Sequence, residues 1–145
     1  MGFEHINLMP VVYISGPYRA SNRMLVARNI REAEEWGNTV AELGAFPFVP
    51  HANTAFLEGA FPDDFFLDGD LAVLFKADAA LFIPRWEASS GARREREFAE
   101  HHGIPCFEAA KSLKENDRLF AWIDEFWGRA WGRSRRHRLP DEADG

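Results

Sequence analysis

The sequence predicts an α/β fold, with helices on both faces of one parallel sheet of four to five strands. Two observations carry that expectation. Short β-rich runs alternate along the chain with longer helical patterns, and alternation of that kind implies parallel strands joined by helical crossovers. The 145 residues, 46% hydrophobic and 14% aromatic, suffice for one domain with a full core. We expect residues 1–132 to form that domain and residues 133–145 to be a disordered tail, because the tail carries arginines, then acids, and few apolar residues. There is no internal repeat.

Taken in order, Met1 to Met9 is a weakly specified leader. Val11-Val12-Tyr13-Ile14-Ser15 is β-rich and empties into Gly16-Pro17, a turn signal. Ser21 is a candidate cap for a helix from Asn22 to Leu43, with Gly44 as its stop. A second strand spans Ala45 to Pro50, and its prolines make it short or place it at an edge. His51-Ala52-Asn53 lies just past it, and Ala55 to Pro62 reads either as a loop or as a short helix. Asp63 to Phe75 is a helix, and Ala79 to Pro84 the third strand. Trp86 to Gly91 is a turn of small and polar residues opening a helix from Ala92 to His102. A fourth strand covers Gly103 to Phe107. The last helix, Ser112 to Trp131, has Leu119, Trp122, Ile123, Phe126 and Trp127 as its apolar stripe.

Composition excludes several classes. A net charge of −6 argues against a general nucleic-acid or membrane-surface binder. Cys106 is the single cysteine, so no internal disulfide forms, and it has no neighbours spaced for zinc. No apolar run reaches the roughly 20 residues of a membrane helix, and no secretion leader is evident. A cytoplasmic protein without metal or organic cofactor is expected.

In open parallel sheets, ligands bind beyond the carboxyl ends of the strands. That rule gathers Ser15-Gly16-Pro17-Tyr18-Arg19, His51-Ala52-Asn53 and Trp86 to Glu95 at one rim. Within the last piece, Ala92, Glu95, Ala99 and His102 share one helical face beside Phe98, while Arg93, Arg94, Arg96, Glu97 and Glu100 fall mainly toward solvent. Glu95 is thus an acid on an apolar stripe. It either pairs with an arginine or does chemistry.

Several motifs together resemble the nucleoside 2-deoxyribosyltransferase-like superfamily, including its 2'-deoxynucleoside 5'-phosphate N-hydrolase branch. They are Tyr13-Ile14-Ser15-Gly16-Pro17-Tyr18-Arg19, Asp70 upstream of Asp78, and Trp86 followed by Ser89-x-Gly91-Ala92-x-x-Glu95. The likeness is nearest to uncharacterised members with a W-x-x-S-x-G-A-x-x-E signature and covers roughly Val11 to Phe107. It implies a flavodoxin-like, Rossmann-like sheet and cleavage of an N-glycosidic bond. By resemblance Glu95 matches the nucleophile, and Asp70 the acid that orients it or protonates the leaving base. Ser15, Gly16 and Arg19 match the turn that holds the sugar or its 5' substituent, and Ser89 a phosphate contact. The turn lacks the further glycines of some nucleotide hydrolases, and the arginine-rich tail has no counterpart in the superfamily.

Each assignment has a plainer competitor. Gly16-Pro17 serves as a turn, Arg19 as a solvated arginine, Asp68 competes with Asp70, and Ser89 with Gly91 forms a helix start. His51 reads as a rim or structural histidine, and Trp86 as packing or a base-stacking surface. The expected partner is a small nucleoside or nucleoside 5'-monophosphate, with hydrolysis favoured over base exchange, and with no membrane and no specific nucleic acid. The resemblance also implies a homodimer or larger homo-oligomer. The alternative is a non-catalytic nucleotide-binding module using the same rim. An interaction protein acting through Trp122, Trp127, Trp131 and the basic tail is a third reading.

Overall fold

The structure is a computed structural model that describes residues 9–57, 59–109 and 117–130. Most of the expected leader, the start of the last helix, Trp131 and the tail lie outside the described residues. Four parallel strands, β1 (Val11–Ser15), β2 (Phe46–Phe48), β3 (Ala79–Phe82) and β4 (Cys106–Glu108), form one sheet in the order β2-β1-β3-β4. Helices α1 (Arg23–Leu43), α3 (Asp63–Lys76), α4 (Ser90–His101) and α5 (Asp117–Ala130) flank it, and a one-turn helix, α2 (Pro50–Asn53), follows β2. This is the expected α/β, flavodoxin-like arrangement. Among the described residues no helix is long and apolar enough to cross a membrane.

β1 and β3 form the centre of the sheet, with Val12, Tyr13, Ile14 and Ser15 aligned on Ala79, Ala80, Leu81 and Phe82. Both strands are buried on both faces, so they read as continuous apolar runs. Alternation along β1 sorts its side chains between two layers. Val12 and Ile14 join Ala33 and Val40 of α1 and Leu119, Ile123 and Trp127 of α5. Tyr13 faces the other way, with Leu74 of α3, Phe82 and Ala99 of α4. The Trp127 indole N–H donates to the Gly44 carbonyl at 2.9 Å, which ties α5 to the end of α1.

Several boundaries differ from expectation. Asn22, not Ser21, caps α1: its Oδ1 accepts from the Leu25 N–H at 3.0 Å. Gly44 is the expected stop, left-handed at φ 101°. β2 is three residues long and sits at an edge, with Pro47 in the middle, where it donates no ladder hydrogen bond. His51, Ala52 and Asn53 belong to α2, and Ala55–Leu57 is a 3₁₀ turn. β4 starts at Cys106, because Gly103 and Ile104 still close α4 through hydrogen bonds to Glu100 and Ala99.

Candidate active site

The strand order reverses between β1 and β3: the chain leaves β1 for β2 on one side and returns to β3 on the other. A crevice opens at such a switch point, at the carboxyl ends of the strands. Ser15 ends β1 there. Beyond β3 the chain makes a tight turn through Arg85 (φ 72°) and a 3₁₀ turn at Trp86–Ala88, then enters α4. Among the described residues Arg85 is the one non-glycine with positive φ, a strained backbone, and an ion pair to Glu32 of α1 anchors it.

Glu95 lies in the second turn of α4, over the β1 face that carries Tyr13 and Ser15. The Tyr13 hydroxyl donates to its Oε2, and the Ser15 hydroxyl to its Oε1 at 3.0 Å. Neither donor is charged. The two arginines that flank it in sequence pair elsewhere, Arg94 with Asp68 at 3.5 Å and Arg96 with Glu100 and Glu108. Among the described residues, then, Glu95 is held by neutral hydroxyls and by no ion pair. Burial raises its pKa from 4.5 to about 7, the two hydroxyl bonds work against that rise, Asp70 adds to it, and the Arg94 charge takes a little back. Asp70, on the neighbouring α3, is raised by burial from 3.8 to about 6. Burial, then the charges of Glu95 and Asp70, push the Tyr13 phenol well above its usual 10.0. Tyr13, Glu95 and Asp70 thus form one coupled group. Of the two competing acids, Asp70 joins it, while Asp68 is exposed and held by Arg94.

Sequence reasoning gave Tyr13 no role. The available signal was its i, i+2 relation to Ser15, which puts both on one face of β1. The same reasoning placed Arg96 in solvent, yet its guanidinium lies 5.1 Å from the Phe82 ring centre and 5.3 Å from that of Trp86. It also bonds Glu100 and Glu108. Trp86 is half-buried and packs on Phe82 beneath it. His102 is exposed at the end of α4 and rests against Phe98.

The turn after β1 is close-packed. A side chain on Gly16 would place its Cβ 2.3 Å from Ile83 Cγ1, so only glycine fits. His51 is buried beneath this turn. Its Nε2 lies 2.9 Å from the Pro17 carbonyl and 3.2 Å from that of Gly16, so Nε2–H is the donor and Nδ1 carries the lone pair. Burial lowers its pKa against the effect of those two bonds, which keeps the ring neutral near pH 7. His51 therefore holds the turn through its carbonyls. Arg19, expected at an anion, is ion-paired with Asp63 at the start of α3 at 2.7 Å, both side chains being exposed. Exposed pairs of this kind contribute little and exchange readily. Ser89 is the N-cap of α4: its hydroxyl accepts from the Ala92 N–H at 3.2 Å. A side chain on Gly91 would meet only Ser89 Oγ, 3.9 Å from its Cβ, so that side of the first turn is open.

The structure thus brings Ser15, Asp70 and Glu95 together with Tyr13, and sets Gly16, Pro17 and Ser89 at the strand ends around them. Two open grooves lie elsewhere, one along α5 near Phe120 and one along α1 and β2 near Phe46, and neither is lined by Glu95 or Asp70. Among the described residues no three His, Cys, Asp or Glu side chains are grouped to hold a metal ion.

No curated protein matches the chain significantly. Among solved structures, it is similar to a conserved protein from Enterococcus faecalis V583, with a TM-score of 0.58 and 16% identity over 95% of this chain and 86% of that one. At that identity the likeness shows the fold alone. Residues 10–109, from the start of β1 to just past β4, match a family described as a domain of unknown function, and with that span of the sheet and of every candidate site residue the chain belongs to this family, DUF7768.

Proposed function

We propose that the protein cleaves the N-glycosidic bond of a nucleoside or nucleoside 5'-monophosphate, as a member of the nucleoside 2-deoxyribosyltransferase-like superfamily. One observation carries the reading: a largely buried carboxylate, Glu95, is held by two neutral hydroxyls at the switch point of the sheet, with a second perturbed carboxyl, Asp70, within electrostatic reach. Two carboxyl groups in different environments are the usual equipment of retaining glycosidases.

In the proposed reaction Glu95 attacks C1' of the sugar. The bond from C1' to the base nitrogen breaks, its electron pair goes to the base, and Asp70 supplies the proton. A glycosyl ester on Glu95 results. Water, deprotonated by Asp70, then attacks C1' and frees both sugar and Glu95. An incoming base in place of water would make the same site a transferase. The donors on Glu95 do not block attack, since each carboxylate oxygen has a second lone pair. The open first turn of α4, with Ser89 at its cap, suits the 5' phosphate.

Burial raises the pKa of both Glu95 and Asp70, so around pH 6–7 the pair holds one proton between them. The reactive form has that proton on Asp70. Its abundance follows the pair and not either residue alone.

The test is chromatography after incubation with a panel of deoxynucleosides and deoxynucleoside 5'-monophosphates. Wild type releases free base, and Glu95→Ala folds but releases none. Base release at the wild-type rate by Glu95→Ala removes the mechanism. A second reading, a non-catalytic nucleotide-binding module, is favoured by the fact that both Glu95 oxygens already accept hydrogen bonds. Protection from heat by a nucleotide without base release would select it.

A further inference from the structure

The turn between β1 and α1 is held by its carbonyl oxygens. Three in succession are taken by side chains from elsewhere. His51 of α2 donates to Gly16 O at 3.2 Å and to Pro17 O at 2.9 Å, and the Asn29 amide of α1 donates to Tyr18 O at 3.0 Å. The His51 ring also meets the Tyr18 ring edge-on at 5.5 Å. Both clamping side chains are buried.

We propose that His51 and Asn29 are positioning residues for the candidate site, fixing the Gly16–Tyr18 turn through these three carbonyls so that it presents its opposite side to a ligand. For the ligand it serves, this rests on the glycosidic reading. The peptide bonds here are trans, so each C=O is antiparallel to the following N–H. With the Tyr18 carbonyl drawn toward Asn29, the Arg19 N–H turns away from the clamp. Pro17 has no N–H, so the Gly16 carbonyl is engaged without committing a donor. The turn is continuous with Ser15, which holds Glu95, so the clamp also fixes the backbone that aims that hydroxyl.

A second feature separates positioning from plain stabilisation. Among the described residues His51 Nδ1 and Asn29 Oδ1 are buried with no hydrogen-bond partner. A buried acceptor without a donor opposes folding. The two side chains therefore hold the turn against their own desolvation, a pattern of site support in which local geometry is favoured over stability.

The experiment uses the full chain and the variants His51→Ala, His51→Gln and Asn29→Ala. Glutamine carries an amide N–H near the place of His Nε2 and restores the donor. Base release from deoxynucleoside 5'-monophosphates is measured, together with hydrogen exchange of the segment from Tyr13 to Ala20. In His51→Ala and Asn29→Ala, KM is expected to rise roughly tenfold with a smaller change in kcat, since a displaced binding donor weakens the complex. Exchange in the segment quickens, and His51→Gln restores both. Unchanged KM in both alanine variants overturns the proposal, as does equal impairment of His51→Ala and His51→Gln with unaltered exchange. If His51→Ala does not fold, Asn29→Ala and His51→Gln decide by the same measures. If wild type releases no base, the glycosidic reading fails, and exchange alone decides the clamp: protection lost in His51→Ala and kept in His51→Gln upholds it, and unchanged protection overturns it.

Discussion

Replacing Glu95 by glutamine tests the buried carboxyl without any assumption about substrate. Glutamine has the same shape and can still meet the Tyr13 and Ser15 hydroxyls, but it carries no ionisable proton. In wild type the folded-state pKa is about 7 against an ordinary 4.5. Because the folded value is the higher one, the contribution of this group to stability is complete below about pH 4.5. It declines as pH rises and is lost once pH has passed about 7. Each pH unit between those limits corresponds to about 1.4 kcal/mol, and with allowance for the partial exposure of the side chain the whole loss is about 2–3 kcal/mol. Glu95→Gln escapes that loss. The two proteins should match near pH 4.5, and above pH 7.5 the variant should melt higher by roughly 5–10 °C, given the usual conversion for a chain of this size. Thermal unfolding followed by circular dichroism from pH 4.5 to 8.5 measures it. Asp70 titrates in both proteins and largely cancels from the comparison. Parallel melting curves across the range would refute the burial argument.

Three further outcomes follow from the same geometry. The pH profile of kcat/KM for base release should be bell-shaped, with limbs near 6 and 7 from the Asp70–Glu95 pair, and a flat profile between pH 5 and 8 would contradict the pairing. Tyr13→Phe removes a hydroxyl donor from the ionised carboxylate, worth about 1.5–3 kcal/mol for a charged acceptor, so kcat should drop roughly 10- to 100-fold; a drop below twofold would show the hydroxyl to be incidental. Gly16→Ala puts a methyl 2.3 Å from Ile83 Cγ1, which should destabilise by about 1–3 kcal/mol. Ile83→Ala in the same chain should recover part of that in urea titrations, and strict additivity would exclude the clash.

The α/β class, the parallel order of elements and the positions of the helices were legible in the sequence because periodicity and turn chemistry are local. Val11–Ser15 is β-rich and ends at Gly16-Pro17, and the α1 stop at Gly44 follows from the left-handed backbone that glycine permits. So was the oddity of Glu95, an acid on an apolar stripe. Its partners were not. The donors Tyr13 and Ser15 lie 82 and 80 residues away, and only the packing of α4 on one face of β1 brings them to the carboxylate. Packing likewise decided between Asp68 and Asp70, drew Arg96 over Phe82 and Trp86, and turned His51 under the turn. The physical reason is range. Propensity and capping act within a few residues, so the chain writes them in its local order. Burial and hydrogen bonding between distant side chains exist only once the layers have met, and the ionisation of this site is set by those alone.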